Sequence, residues 1–156
     1  MRLIKRFILL LKGNRWTSIS DTDQVPLQYI EPLIIRYVQS EEFGKDFKDL
    51  EKHNKVKEGS NLAQLNPFID SKGLICARGR LENSDLPEHM KTPVILPRRH
   101  SLTRLIIADA HRKTGYAGMK QVLSTLRERY RIIRCLVAVK SVIRECIICK
   151  RIHQPK

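Results

Sequence analysis

The sequence predicts a mainly α-helical protein with a small antiparallel β unit and a three-helix bundle at its C-terminal end. Three observations support this fold class. Apolar residues recur at helical spacing over much of the chain. Two short β-prone runs, 74–77 and 93–97, are bounded by Gly or Pro. The length of 156 residues, with 42% hydrophobic and 29% charged residues, suits one ordinary folded domain or two very small ones.

The first predicted region, residues 1–60, is a helical linking segment. Residues 1–11 form a short basic and apolar pattern typical of a helix. A second helical pattern runs from Leu27, but Pro32 fits best in a first turn, so we expect that helix to begin near Glu31. The polar stretch 52–60 ends in Gly59-Ser60 and is typical of a linker.

The second predicted region, residues 61–97, is a small β-containing extension. The stretch 65–70 is turn-rich, and strands are predicted at 74–77 and 93–97. These strands are expected to pair antiparallel across the loop at 82–91. Because two short strands are marginal alone, they should pack on the neighbouring helices.

The third predicted region, residues 98–156, contains three short helices. The first is expected to start at Ser101 as N-cap and to end before Gly115. The second spans 119–131 and the third begins near Val137, with a short turn at 133–136 between them. The residues expected to face inward on the first helix are Leu102, Leu105, Ile106 and Ala110.

Positive charge is concentrated in this third region. Of the net charge of +14, residues 98–156 supply +12, from 15 Lys and Arg against 3 Asp and Glu. Such a surface favours a polyanionic partner, nucleic acid above all, over a small-molecule substrate. The residues expected to contact phosphates are Lys120, Arg127, Arg131, Arg134, Lys140, Arg144, Lys150 and Arg151.

A metal site is predicted in the same region. Cys146 and Cys149 have the spacing at which two thiolates bind one zinc ion, and His111 can complete a third position once the helices pack. The fourth ligand stays open. His153 lies four residues after Cys149, and Cys135 is a weaker candidate, while the phenol of Tyr116 is a poor zinc ligand. The pair could instead be redox-active or simply packed as small apolar residues.

Cysteine usage and the N-terminus indicate an intracellular protein that is not secreted. The apolar run at 7–11 is shorter than a signal-peptide core and far shorter than a membrane span. In a reducing compartment, a Cys-x-x-Cys pair is more often metal-binding or redox-active than a structural disulfide.

The ordered motifs resemble a known family. His111-Arg-Lys-Thr-Gly-Tyr116 followed by Cys146-Ile-Ile-Cys149-Lys-Arg151 resembles the integrase zinc-binding (His-His-Cys-Cys) domain, most closely the version in BEL/Pao-type LTR retrotransposon polyproteins. The resemblance extends upstream through 65–70, 79–81 and 93–97. The stretch 39–43 and the opening Arg6-Phe7 also resemble the segment that joins reverse transcriptase/RNase H to integrase in those polyproteins. This resemblance implies zinc, with the second family histidine falling on Tyr116.

The resemblance also implies what the chain does not do. Integrase catalysis belongs to a core that follows the zinc domain, so we expect no enzymatic activity from these residues, no small-molecule substrate and no membrane association. The expected partners are DNA, a second copy of the chain or an integrase core, in the nucleus. The second and third helices should resemble a helix-turn-helix. Two alternatives remain: a protein–protein assembly module without DNA binding, and a non-functional fragment of a decayed element with a broken zinc site.

Overall fold

A computed structural model describes residues 27–79, 85 and 87–152. Its helices are α1 Leu27–Glu42, α2 Gly44–His53, α3 Glu88–Lys91, α4 Ser101–Lys113, α5 Met119–Arg127, α6 Cys135–Glu145 and α7 Ile147–Ile152. Its strands are β1 Pro67–Ile69, β2 Ile75–Ala77, β3 Val94–Leu96 and β4 Tyr130–Ile132. The predicted helix at 1–11 lies outside the described residues. Among the described helices, none has the length and apolar character needed to cross a bilayer.

The four strands form one mixed sheet in the order β1-β2-β3-β4. The predicted antiparallel pairing of β2 with β3 is confirmed, through Cys76 opposite Val94. The sheet is larger than the predicted antiparallel pair, because β4 joins β3 in parallel, with Ile95 opposite Arg131. The turn-rich stretch 65–70 also contains a strand, β1, which pairs antiparallel with β2.

The sheet is covered on both faces, so the fold has three layers. Alternate strand residues point to opposite faces. Cys76, Leu96 and Ile132 pack on one face against helices α4, α5 and α6, where Ile107 and Val139 are fully buried. On the other face, the buried residues Ile75 and Ile95 pack with Phe43, Leu50 and Leu62. The C-terminal helices and the part of the chain around Phe43, Leu50 and Leu62 are therefore held on opposite sides of the same strands.

A buried glutamine joins α1 to the sheet. Gln39 is fully buried, and its side-chain amide donates to the carbonyls of Ile75 and Ile95, each at 2.8 Å. Its side-chain oxygen accepts from the backbone N–H of Ile75 at 2.8 Å. One side chain thus supplies hydrogen bonds to β2 and β3 where the two strands do not pair with each other.

Three predicted details of helices α1 and α4 are wrong. Helix α1 begins at Leu27 rather than near Glu31, so Pro32 lies in its interior. The proline removes one backbone hydrogen bond of the helix, and the burial of Ile35 and Val38 offsets that loss. The N-cap of α4 is His100 rather than Ser101, since His100 Nδ1 accepts from the N–H of Leu102 at 3.1 Å. Leu105 is 68% exposed rather than inward-facing.

The exposure of Leu105 follows from the phase of α4. The buried residues of this helix are Thr103, Ile107, Ala110 and His111. These positions follow the spacing of one helical face, and Leu105 is two residues from Thr103 and so lies on the opposite side. Ala110, predicted to be inward, is buried, and Leu102 and Ile106 pack at the edges of the core.

The predicted helix at 119–131 is too long. Helix α5 ends at Arg127, and Tyr130 and Arg131 belong to β4. The sequence Tyr130-Arg-Ile-Ile favours a strand, and the unpaired edge of β3 makes that choice available. After β4, Arg134 adopts a left-handed conformation (φ 50°) and α6 begins at Cys135, two residues before the predicted start.

Candidate metal centre

Three predicted ligands come together at the ends of helices α4 and α6. His111 lies in the last turn of α4, Cys146 follows the last residue of α6, and Cys149 lies within α7. The ligand atoms of His111, Cys146 and Cys149 all lie within 4.8 Å of one another. Packing of α4 on α6 therefore joins residues that are separated by 35 or more positions along the chain.

The donor set fits a zinc ion. His111 Nε2 lies 3.1 Å from Cys149 Sγ. Zinc–nitrogen and zinc–sulfur bonds of about 2.0 and 2.3 Å place tetrahedral ligands roughly 3.5 Å apart, close to that separation. His111 is only 2% exposed, and its buried Nδ1 has no hydrogen-bond partner among the described residues. A buried imidazole beside two thiols is a donor set that binds a soft divalent cation.

The two thiols differ in their acidity. Hydrogen bonds from the backbone N–H groups of Cys149 and Ile148 lower the pKa of the Cys146 thiol, that of Cys149 having the larger effect. Burial, followed by the neighbouring Cys146, raises the pKa of the Cys149 thiol. A bound cation favours both thiolates, because coordination requires the deprotonated sulfur.

Tyr116 lies beside this cluster, where the resemblance places a second histidine. Its ring meets the ring of His111 edge-on, with centroids 5.3 Å apart and an interplanar angle of 89°. The backbone N–H of Tyr116 donates to the carbonyl of His111 at 2.9 Å. Gly115 and Tyr116 both have positive φ, 65° and 60°, which turns the chain sharply back after α4. The loop therefore holds this side chain next to the candidate ligands.

The other candidate ligands are not part of the cluster. Cys135 is the first residue of α6, and the 11 residues of this helix separate it from Cys146 by about 16 Å. Cys135 is thus wrong as a fourth ligand. Cys76 is buried in β2, where burial raises the pKa of its thiol to about 12, and it acts in packing as expected. His153 lies outside the described residues.

The pattern of these residues also matches a known family. Residues 98–155 match the integrase zinc binding domain. The matched segment contains His111, Tyr116, Cys146 and Cys149, and the family implies zinc, which agrees with a cluster that could hold a metal ion. The match covers a zinc-binding domain rather than a catalytic integrase core, and it suggests a role in integrase function. Neither a curated protein nor a solved structure matches the chain.

A basic surface lies within the segment that matches the integrase zinc binding domain. All eight residues predicted to contact phosphates are exposed. Helix α5 carries Lys120 and Arg127, β4 carries Arg131, Arg134 precedes α6, Lys140 and Arg144 lie on α6, and Lys150 and Arg151 lie on α7. Arg131 thus lies on a strand and not on a helix as predicted. Strand β4 also stands between α5 and α6, in place of the short turn of a helix-turn-helix.

Among the described residues none of these eight cations forms an ion pair with a carboxylate at contact distance, whereas other cations of the same segment do. Arg104 pairs with Glu145 at 2.5 Å, Arg129 pairs with Glu31 at 3.2 Å, and Arg112 and Lys113 both pair with Asp109. The unpaired charge is therefore not a uniform property of the segment. It is concentrated on α5, β4, α6 and α7.

Sequence reasoning missed one contact that supports the cluster. Arg104 on α4 makes two hydrogen bonds to the carboxylate of Glu145, the residue before Cys146. Because this pair joins the same two helices that supply His111 and Cys146, it helps to hold them in register. A separation of 41 residues leaves no local signal from which this pairing could have been predicted.

Proposed function

We propose that this chain is a non-catalytic zinc-binding region derived from a BEL/Pao-type retrotransposon polyprotein, and that it binds DNA through phosphate contacts. The observation that carries the proposal is that the three-donor cluster lies at the ends of α4 and α6 and in α7, and that four of the eight unpaired cations, Lys140, Arg144, Lys150 and Arg151, lie on α6 and α7. Holding α6 and α7 together also holds these four basic residues in a fixed arrangement. Integration-derived activity would place the chain in the nucleus.

His111, Cys146 and Cys149 would hold the zinc ion, with Tyr116 or His153 as candidates for the fourth position. The ion would act structurally, by stabilising a small helical segment whose own apolar core is limited. Lys140 and Arg144 lie four residues apart on α6 and so share one exposed face. Contacts of such a face with phosphates supply affinity and strong salt dependence but little base specificity.

A second candidate function is assembly of the chain with a further copy or with an integrase core. Exposed apolar residues favour it: Leu105 is 68% exposed, Leu136 53% and Ile147 65%. An assembly module without DNA binding would use these residues and would not need the unpaired cations. The third alternative, a non-functional fragment of a decayed element, predicts neither zinc nor DNA binding.

The test of DNA binding is fluorescence anisotropy with a labelled duplex of about 20 base pairs at several salt concentrations. The double variant Lys140→Glu/Arg144→Glu should weaken binding by about tenfold or more and flatten the dependence of log K on log salt, because fewer counterions are released. The matched control is Lys48→Glu/Lys52→Glu on α2, which makes the same change in net charge at exposed positions.

Equal losses in both double variants would indicate that only net charge matters, which would contradict a binding face on α6. Sedimentation of the same proteins separates the second candidate function. A concentration-dependent dimer that persists in the Lys140→Glu/Arg144→Glu variant, together with salt-independent or absent duplex binding, would favour assembly over DNA binding.

A further inference from the structure

Strand β4 ends the sheet and has one edge without a strand partner among the described residues. On its inner edge, Ile133 donates its N–H to the carbonyl of Leu96, and Arg129 accepts from the N–H of Val94. In a parallel pair the hydrogen bonds of one strand to its neighbour come from alternate residues. The N–H and C=O groups of Tyr130 and Ile132 therefore point to the outer edge, away from β3.

This outer edge lies in a groove. The groove has a volume of about 700 Å³ and runs between the segment 58–65 and the stretch from β4 to the first turn of α6. Tyr130, Ile132 and Ile133 contribute to its lining. The far wall includes Ser60, Asn61 and Gln64, so the groove is built by parts of the chain that lie about 70 residues apart.

The groove carries a net positive charge from its charged lining residues. Arg127, Arg131 and Arg134 line it, and none of them pairs with a described carboxylate. Glu58 is the acidic residue of the lining. Arg131 is opposite Ile95 in the register, so it leaves the sheet on the face of α2 and the segment 58–65, at the rim of the groove. Leu136 and Val137, 53% and 51% exposed, provide an apolar end.

We propose that the outer edge of β4 binds an extended acidic peptide, which adds to the sheet as a fifth strand. An extended peptide offers alternating N–H and C=O groups to the edge, as in other cases of strand addition. Its carboxylates meet the three arginines, and an apolar side chain at one end meets Leu136 and Val137. A DNA backbone offers acceptors but no donors for the two outward carbonyls of β4, so the edge favours a peptide over a polynucleotide.

This interaction does not depend on zinc or on DNA binding by α6. The groove lies at the N-terminal end of α6 and the metal cluster at its C-terminal end, about 16 Å away along the helix. A failure of DNA binding by the face that carries Lys140 and Arg144 therefore leaves the peptide site untouched. A failure of the peptide site likewise leaves the proposed DNA contact in place.

The experiment titrates the full ¹⁵N-labelled chain with an end-blocked octapeptide of alternating Glu and Val, observed by NMR. The matched peptide has its four central amides N-methylated, which keeps the charge but removes the donors for strand pairing. The expected result is perturbation of the amide signals of Tyr130 and Ile132, with binding at least about tenfold weaker for the methylated peptide. This design leaves Ile132 unmutated, because its side chain is buried in the core.

Two protein variants and one competing ligand complete the test. Arg131→Gln should weaken peptide binding about fivefold, whereas Arg144→Gln, an exposed change at the other end of α6, should alter it less than twofold. Equal affinity of the methylated peptide, absence of perturbation at β4, or equal effects of the two variants would overturn the proposal. Tighter binding of an eight-nucleotide oligothymidylate at the same amides would overturn it in favour of nucleic acid.

Discussion

Gln39 illustrates, at the scale of a residue, how one polar side chain decides the arrangement of a sheet. Strands β2 and β3 pair through a single residue pair, Cys76 with Val94. The amide of Gln39 provides the hydrogen bonds that the adjacent groups of Ile75 and Ile95 would otherwise lack. A buried polar side chain of this kind is tolerated because both its nitrogen and its oxygen form hydrogen bonds.

The variant Gln39→Ala should lower the free energy of unfolding by about 3 kcal/mol, because it leaves buried backbone groups of β2 and β3 without partners and removes packing volume. Gln39→Glu should also destabilise, since a carboxylate cannot donate to the two carbonyls. Urea denaturation measures both changes. The control is Ser40→Ala on the exposed side of α1, whose free energy of unfolding should stay within about 0.5 kcal/mol of that of the parent chain. A loss in Ser40→Ala as large as that in Gln39→Ala would contradict the role of Gln39.

At the scale of the elements, the candidate metal centre connects the C-terminal ends of α4 and α6 with the short helix α7. Few other contacts hold α7: Ile147 is 65% exposed and Ile148 40%, while Cys149 is buried. Zinc would therefore contribute most to the attachment of α7. The Arg104–Glu145 pair is exposed at about half of each side chain and contributes little by itself.

Chelation should lower the melting temperature of the zinc-loaded chain and release α7, visible as reduced helical circular dichroism. Tyr116→His should lower the Kd for zinc by at least about tenfold, because changes even to groups outside the ligand shell alter metal affinity 10- to 100-fold. Competition with a chromophoric chelator measures that Kd, and Cys149→Ser is the control that should lose the metal. An unchanged Kd in Tyr116→His would show that this position does not supply the fourth ligand.

At the scale of the whole molecule, the sheet unites segments that sequence patterns assigned to separate regions. The predicted boundaries, 1–60, 61–97 and 98–156, stay a prediction. The cluster that surrounds Ile107 and Val139 nevertheless includes Ile35, Leu74 and Leu96 from the first two regions. β4, from the third region, pairs with β3, from the second. Each region therefore buries apolar surface against the others.

A fragment of residues 98–156 should unfold at lower temperature and less cooperatively than the full chain, even with zinc added. It loses the strand partner of β4 and the buried contacts of Ile35, Leu74 and Leu96, and each buried aliphatic side chain contributes about 1.5–3 kcal/mol. Calorimetry of the fragment and of the full chain, both loaded with zinc, gives the comparison. Equal melting temperatures would show that the third region folds independently.

The features that depend on local pattern were predicted from the sequence: helical periodicity indicated the C-terminal helices, and β-prone runs indicated β2, β3 and their antiparallel pairing. Residue spacing gave the cysteine pair, and residue type gave His111. These succeed because side-chain chemistry and short-range geometry are local properties. The position of Tyr116 beside the cluster also follows from a motif read along the chain.

The remaining features depend on contacts between segments that are distant in the chain. The choice of Tyr130-Arg-Ile-Ile for a strand depends on the unpaired edge of β3, more than 30 residues earlier, and no local pattern encodes that edge. Packing between distant elements likewise decides three other features, because it determines which face of each helix is buried. These features are the exposure of Leu105, the burial of Gln39 and the exclusion of Cys135 from the metal cluster. Contacts between distant segments overrode propensity at each of these positions, because burial and pairing contribute more free energy than local preference does.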